Sequence, residues 1–145
     1  MPAQTIAIAA DHAGFELKAT LKQKLVEWGH RVLDLGTDGP QSVDYPDFAA
    51  ALATALAEGR AERGVLICGS GIGISIAANR HRHVRAALCH DDRSARLARQ
   101  HNDANVLALG ARFTDPGAAA LILQAFLVTP FEGGRHAGRV AKLGG

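Results

Sequence analysis

Cys68 ends the apolar run Gly64-Val65-Leu66-Ile67 and precedes Gly69-Ser70-Gly71-Ile72-Gly73, which puts a thiol at the mouth of a glycine loop. The apolar run reads as a buried strand, and Ile74-Ser75-Ile76-Ala77-Ala78-Asn79 reads as the start of a helix. Strand, glycine loop and helix in that order make an anion site: N–H groups unobstructed by Cβ atoms face a ligand, and the helix start adds unpaired donors and a positive dipole end. The same field favours a thiolate, the form in which cysteine acts as base or nucleophile. A buried structural cysteine fits the segment as well.

Several familiar loops are excluded by position. A dinucleotide fingerprint beginning at Gly69 needs glycine where Ile74 stands, and no Walker lysine follows. A cysteine phosphatase loop needs an arginine about five residues beyond the thiol, and Ile74 is again in its place. The nucleophile elbow fails because Gly69 and Gly71 flank Ser70 directly. What survives is a compact loop for a small anionic or polyhydroxylated ligand.

The elements that must hold this loop follow from periodicity and punctuation. Strands are expected at Ile6–Ala9, Val32–Leu35, Gly64–Ile67, Val84–Cys89 and Asn105–Leu109. Helices are expected from Phe15 to Trp28 with Gly29 as stop, Asp47 to Glu58 closing at Gly59, Asp92 to Gln100, and Pro116 to Leu127 opened by proline. Regular alternation with short connections implies parallel strands and right-handed crossovers. The expected fold is a Rossmann-like three-layer α/β/α sandwich on a five-stranded parallel sheet, one domain over residues 1–145. Ligands of such sheets bind beyond the carboxyl ends of the strands. Asp11 and His12, Cys68 to Gly73, His90-Asp91-Asp92 and Arg112 all fall there.

Composition narrows the class. Lys+Arg 16 against Asp+Glu 14 leaves a formal charge of +2, too balanced for a nucleic-acid or membrane surface. No apolar stretch approaches the roughly 20 residues that span a bilayer. Cys68 and Cys89 make no disulfide framework for a chain of 145 residues, and the first residues lack a basic region followed by an apolar run, so a reducing cytoplasm is expected.

Ala10-Asp11-His12-Ala13-Gly14, Asp44-Tyr45-Pro46, the whole stretch Ile67 to Asn79, Arg99-Gln100-His101-Asn102-Asp103 and Glu132-Gly133-Gly134-Arg135-His136 together resemble the ribose-5-phosphate isomerase B family. The resemblance spans nearly the whole chain. It implies interconversion of ribose 5-phosphate and ribulose 5-phosphate through a cis-enediol, without metal or organic cofactor, in a family that also contains allose- and galactose-6-phosphate isomerases. Cys68 matches the base; Ser75 stands where another subgroup carries a glutamate base. Ser70, often threonine in the family, would hydrogen-bond the thiol or substrate oxygens, and N–H groups from Gly69 through Gly71 and Ile72 to Gly73 would stabilise enediolate charge. His101 matches the ring-opening residue, and Asp11 and Asn102 would hold sugar hydroxyls. His12, Arg112, Arg135 and Arg139, with His136 nearby, would clamp the phosphate, and Tyr45 would wall the sugar site. Family members are homodimers with shared sites, which would bring His101, Asn102 and Arg112 to the partner's thiol; a tetramer is the larger alternative.

Each residue also has a plainer reading. Asp11 fits a helix cap, and His101 ends a helix that favours a cation anyway. His81 and His83 make an H-x-H pair without further ligands, better read as a solvated loop. Arg93, Arg96 and Arg99 read as a solvated face or subunit contact, and Cys89 as core. Two other functions compete with the pentose isomerase: a hexose 6-phosphate isomerase with the same chemistry, and a non-catalytic sugar-phosphate-binding module in which Cys68 is structural.

Overall fold

The structure, a computed structural model, describes residues 2–144. Strands β1 (Thr5–Ala10), β2 (Arg31–Asp34), β3 (Arg63–Cys68), β4 (Ala86–Leu88) and β5 (Val106–Gly110) form one parallel sheet in the order β2-β1-β3-β5-β4. Between and after them come α1 (Phe15–Glu27), α2 (Tyr45–Ala57), α3 (Ile72–Asn79), α4 (Asp92–Asn102), α5 (Pro116–Val128) and α6 (Arg135–Ala141). The three inner strands are apolar on both faces because both faces are covered.

The strand order dictates the layers. The crossovers β1 to β2 and β4 to β5 step across the sheet in one direction, while β2 to β3 and β3 to β4 step in the other. Right-handed connections therefore put α1 and α4 on one face and α2 and α3 on the opposite one. Packing follows: Leu17, Leu21, Leu25, Ala95 and Ala98 join Phe126 of α5 over Ile6, Ile8, Val65 and Leu107. Leu52, Ala53, Ile74 and Ala78 cover Ala7, Ala9, Leu66 and Ala108. The expected three-layer sandwich is the observed architecture. Among the described residues no helix is long and apolar enough to cross a membrane.

Boundaries shift where side chains or turns take over from propensity. The fourth strand shrinks from Val84–Cys89 to Ala86–Leu88, since Val84 N–H closes a turn on His81 O and Arg85 N–H donates to Asn105 Oδ1. On the outer edge of β4 the Asn79 side chain donates to Ala86 O at 2.9 Å and accepts from Ala86 N–H at 2.8 Å, occupying backbone groups that would otherwise recruit another strand. α2 begins at Tyr45 rather than Asp47, and α4 runs on to Asn102 rather than stopping at Gln100. α6 was not expected; its seven residues are too few to show a periodic pattern.

Arg99 departs from the expected solvated face. It is 4% exposed. Its Nε donates to Thr129 O at 3.1 Å and its Nη1 to Asp103 Oδ1 at 2.8 Å and Ala104 O at 2.6 Å, so it locks the end of α4 to the segment after α5. Arg96 instead pairs with Asp92 on the surface. Cys89 is core, and burial pushes its thiol up to about 11.

At the end of β2, Asp34 accepts from buried Lys18 and from Lys22, both at 2.6 Å. Burial works against the ionised carboxylate, yet hydrogen bonds from Lys18, Lys22 and Gly36 N–H outweigh it and bring the Asp34 carboxyl down to about 2. A carboxyl depressed in the native state contributes stability that is complete above its unfolded value near 3.8 and lost as pH falls toward 2. Asp34→Asn leaves Lys18 buried without its anion and is expected to destabilise the fold by about 2 kcal/mol at neutral pH, below the fully buried case because Asp34 meets solvent. Urea unfolding checks this: the gap between wild type and variant should narrow as pH drops from 3.8 to 2, and equal stability at neutral pH would remove the assignment.

Candidate active site

β1 and β3 are adjacent at the point where the crossovers change direction, the place where a doubly wound sheet opens a crevice beyond its carboxyl ends. From β1 the chain turns through Asp11, which is 6% exposed and whose Oδ1 accepts from Ala13 N–H at 3.0 Å and Gly14 N–H at 3.2 Å. The cap reading of Asp11 thus holds for a short 3-10 turn, and the cap fixes a carboxylate on the crevice wall. The Nδ1 of His12 accepts from Val43 N–H at 3.1 Å, so the proton of the neutral ring sits on Nε2, free to donate to an anion.

From β3 the chain enters the glycine loop. Cys68 is 5% exposed, and its Sγ accepts from Gly71 N–H at 3.2 Å. Ser70 Oγ accepts from Ile72 N–H at 3.1 Å, which leaves its own proton to donate. It is this N–H, not the thiol, that the hydroxyl engages. Two of the loop N–H groups expected to hold an anion are thus committed internally, and those of Gly69, Ser70 and Gly73 have no acceptor among the described residues.

Glycine is required at two loop positions. Gly71 has φ +78°, and a Cβ there would stand 2.5 Å from Leu88 Cδ1 and 2.9 Å from the Leu109 carbonyl carbon. At Gly73 a Cβ would stand 2.6 Å from the Tyr45 ring, so only glycine lets Tyr45 close over the first turn of α3. After β5, Arg112 N–H donates to Gly69 O at 3.0 Å and the guanidinium packs on Gly69. Arg112 therefore belongs with the thiol of its own chain, which corrects its expected role on a partner. Asp11, His12, Tyr45, Cys68, Ser70 and Arg112 line one cleft of about 380 Å³ together with Gly69, Ile72 and Gly73. A larger cavity of about 620 Å³ lies beyond Arg112, but it is lined by Glu16, Thr20, Phe113 and Asp115 and holds no thiol or imidazole.

The remaining expected residues gather elsewhere. α4 leaves the carboxyl end of β4 and returns to the amino end of β5, so its last residues, His101 and Asn102, lie at the opposite end of the sheet from Cys68. There His136 of α6 stacks on His101 with ring centroids 4.4 Å apart, and Arg135 and Arg139 are exposed on the same short helix. Burial lowers the His136 pKa, helped by the His101 and Arg135 charges and opposed by Glu132. Asn102 borders a separate cavity with Asn79 and Arg85. Glu132 is the residue sequence reasoning left without a role, although its i, i+4 spacing from His136 pointed to it.

Comparison with known proteins decides the class. Residues 6–143 match the Ribose/Galactose Isomerase family. The chain belongs to that family. It is 48% identical to ribose-5-phosphate isomerase B of Escherichia coli, over 93% of this chain and 91% of the relative. It is 45% identical to the D-erythrulose-4-phosphate isomerase of Pectobacterium atrosepticum, over 97% of this chain and 93% of that one. The structure superposes on a ribose 5-phosphate isomerase from Thermotoga maritima with a TM-score of 0.96 at 49% identity, covering 97% of both chains. This member of the isomerase family thus shares with them both the fold and the span of chain that builds the cleft.

The loop geometry carries a prediction. Gly71→Ala meets both backbone strain and a clash, and is expected to cost at least about 1 kcal/mol and to slow alkylation of Cys68 by iodoacetamide several-fold by displacing the N–H on Sγ. Gly138→Ala, where a Cβ meets nothing within 4 Å, should leave the thermal midpoint unchanged or slightly raised. Equal melting of the two variants would contradict the packing described.

Proposed function

We propose that this isomerase interconverts D-ribose 5-phosphate and D-ribulose 5-phosphate through a cis-enediol, with Cys68 as the base. The observation that carries the reading is one cleft that holds a thiol with an N–H donor on its sulfur and is lined as well by a hydroxyl, a carboxylate, an imidazole and a guanidinium. Cys68 thiolate takes the proton from C2 of the open-chain aldose, and the C–H electron pair becomes the C1–C2 double bond while charge moves onto O1. The free N–H groups of Gly69, Ser70 and Gly73 and the Ser70 hydroxyl stabilise that charge. After a proton passes from O2 to O1, the thiol returns its proton to C1 and the ketose forms. Asp11 orients sugar hydroxyls, Tyr45 closes the sugar side, and His12 and Arg112 grip the phosphate.

His101, Asn102, Arg135, His136 and Arg139 enter this scheme from a second copy of the chain. Support comes from their position at the far end of the sheet, out of reach of their own Cys68, and from Ile72 and Ile76, each about half exposed beside the cleft on one face of α3. In the homodimer His101 opens the furanose ring by exchanging a proton with the ring oxygen, and the arginines complete the phosphate clamp. The reaction runs in the cytoplasm, in pentose phosphate metabolism, without a cofactor.

Cys68→Ala should lower kcat by roughly 100-fold or more while ribose 5-phosphate binding, measured calorimetrically, persists; unchanged turnover would remove the thiol base. The D-erythrulose-4-phosphate isomerase among the relatives makes a shorter substrate the second reading. Specificity constants for ribose 5-phosphate, erythrulose 4-phosphate and allose 6-phosphate separate the cases, and a preference for either of the latter two would overturn the pentose assignment.

A further inference from the structure

At the far end of the sheet, His101, Glu132 and His136 each point one potential ligand atom at a common space, all within 4.8 Å of one another. Glu132 Oε1 lies 3.7 Å from His136 Nε2 and 4.0 Å from His101 Nε2. Ligand atoms around tetrahedral zinc, with bonds of about 2.0–2.1 Å, stand roughly 3.4 Å apart, so closing the set takes rotation of the exposed His101 ring out of its stack on His136, which turns its in-plane lone pair toward the ion, and an inward movement of Glu132. The mobile partners are available: the His101 and Glu132 side chains are 41% and 51% exposed. His136 is the fixed one, 8% exposed, and its ring makes no hydrogen bond among the described residues.

We propose that His101, Glu132 and His136 form a reversible site for a borderline divalent transition ion such as Zn²⁺ or Co²⁺. Two imidazoles and one carboxylate suit such ions and not Mg²⁺ or Ca²⁺, which prefer oxygen ligands. Three protein ligands leave a fourth position open to water. Arg135 and Arg139 act electrostatically on His136 from nearby and oppose a cation, while Glu132 is the one carboxylate acting the other way. The consequence of ion binding rests on the role assigned to His101 above: an ion bound to Nε2 removes the lone pair that ring opening needs, and the isomerase is inhibited.

Binding and consequence are tested separately. The full chain carrying Cys68→Ser, which removes the competing thiolate, is titrated with Co²⁺ and followed by its visible d–d absorption and by calorimetry. One ion per chain is expected, weakened at least tenfold by Glu132→Gln and by His101→Gln, both at solvent-facing positions whose folding is checked by circular dichroism. Absence of Co²⁺ binding at millimolar ion, or affinity unchanged in both variants, overturns the site whatever the enzyme's substrate. In the chain with Cys68 intact, Zn²⁺ should inhibit chelator-treated enzyme, and Glu132→Gln should shift the inhibition at least tenfold; the same inhibition in wild type and variant overturns the inhibitory link even if Co²⁺ binds.

Discussion

The placement of β5 beside β3 is the constraint on which the cleft depends. Past the strand ends the ladder continues: Ala111 N–H donates to Cys68 O at 2.9 Å and Arg112 N–H to Gly69 O at 3.0 Å. The end of β5 is therefore the floor on which the glycine loop lies, and it is why Gly71 has no room for a side chain beside Leu109. Had the strands followed sequence order, β4 would lie beside β3 and its successor His90-Asp91 would meet the loop in place of Arg112. An acidic neighbour there would oppose an anionic ligand. The out-of-sequence strand thus sets the charge of the site as well as its shape.

Much of this was legible in the chain. The glycine loop, the strand-end clustering of Asp11, His12 and Cys68, and the alternation that yields three layers all depend on short-range patterns, and local periodicity reports those faithfully. Strand order did not register, because it depends on which apolar strands pack side by side and every inner strand here reads as the same continuous apolar run. Arg99 was misplaced for a related reason: an arginine on a charged helix looks solvated until the segment after α5 wraps over it and supplies carbonyl acceptors. Ser70 keeps the expected hydroxyl, but the tight turn gives it the Ile72 N–H before it can reach the thiol.

The polar residues divide by mobility as well as by place. Around Cys68 nearly every group is fixed by backbone: Asp11 caps its turn, His12 is oriented by Val43, and the sulfur is held by Gly71. Around His101, apart from the buried His136, the groups sit on helix ends and exposed side chains, and among the described residues the one hydrogen bond of Glu132 runs from its own N–H to Gln100 O at 3.1 Å. A fixed half suits proton abstraction, where sub-ångström placement matters. In the proposed dimer, an adaptable half would suit the gripping and release of a charged tail.

The Asn79 side chain on the outer edge of β4 also limits how copies of this chain can associate. Its amide takes up both Ala86 backbone groups, so another molecule's strand cannot pair with β4 at Ala86. At that point of the flank, contact between copies would be made by side-chain surfaces rather than by a shared backbone ladder. Contacts of that sort are fixed by shape and sequence, not by the generic periodicity of the peptide, so a single pairing can be favoured over many registers. One amide thereby shortens the stretch of an already short edge that could stick to any strand.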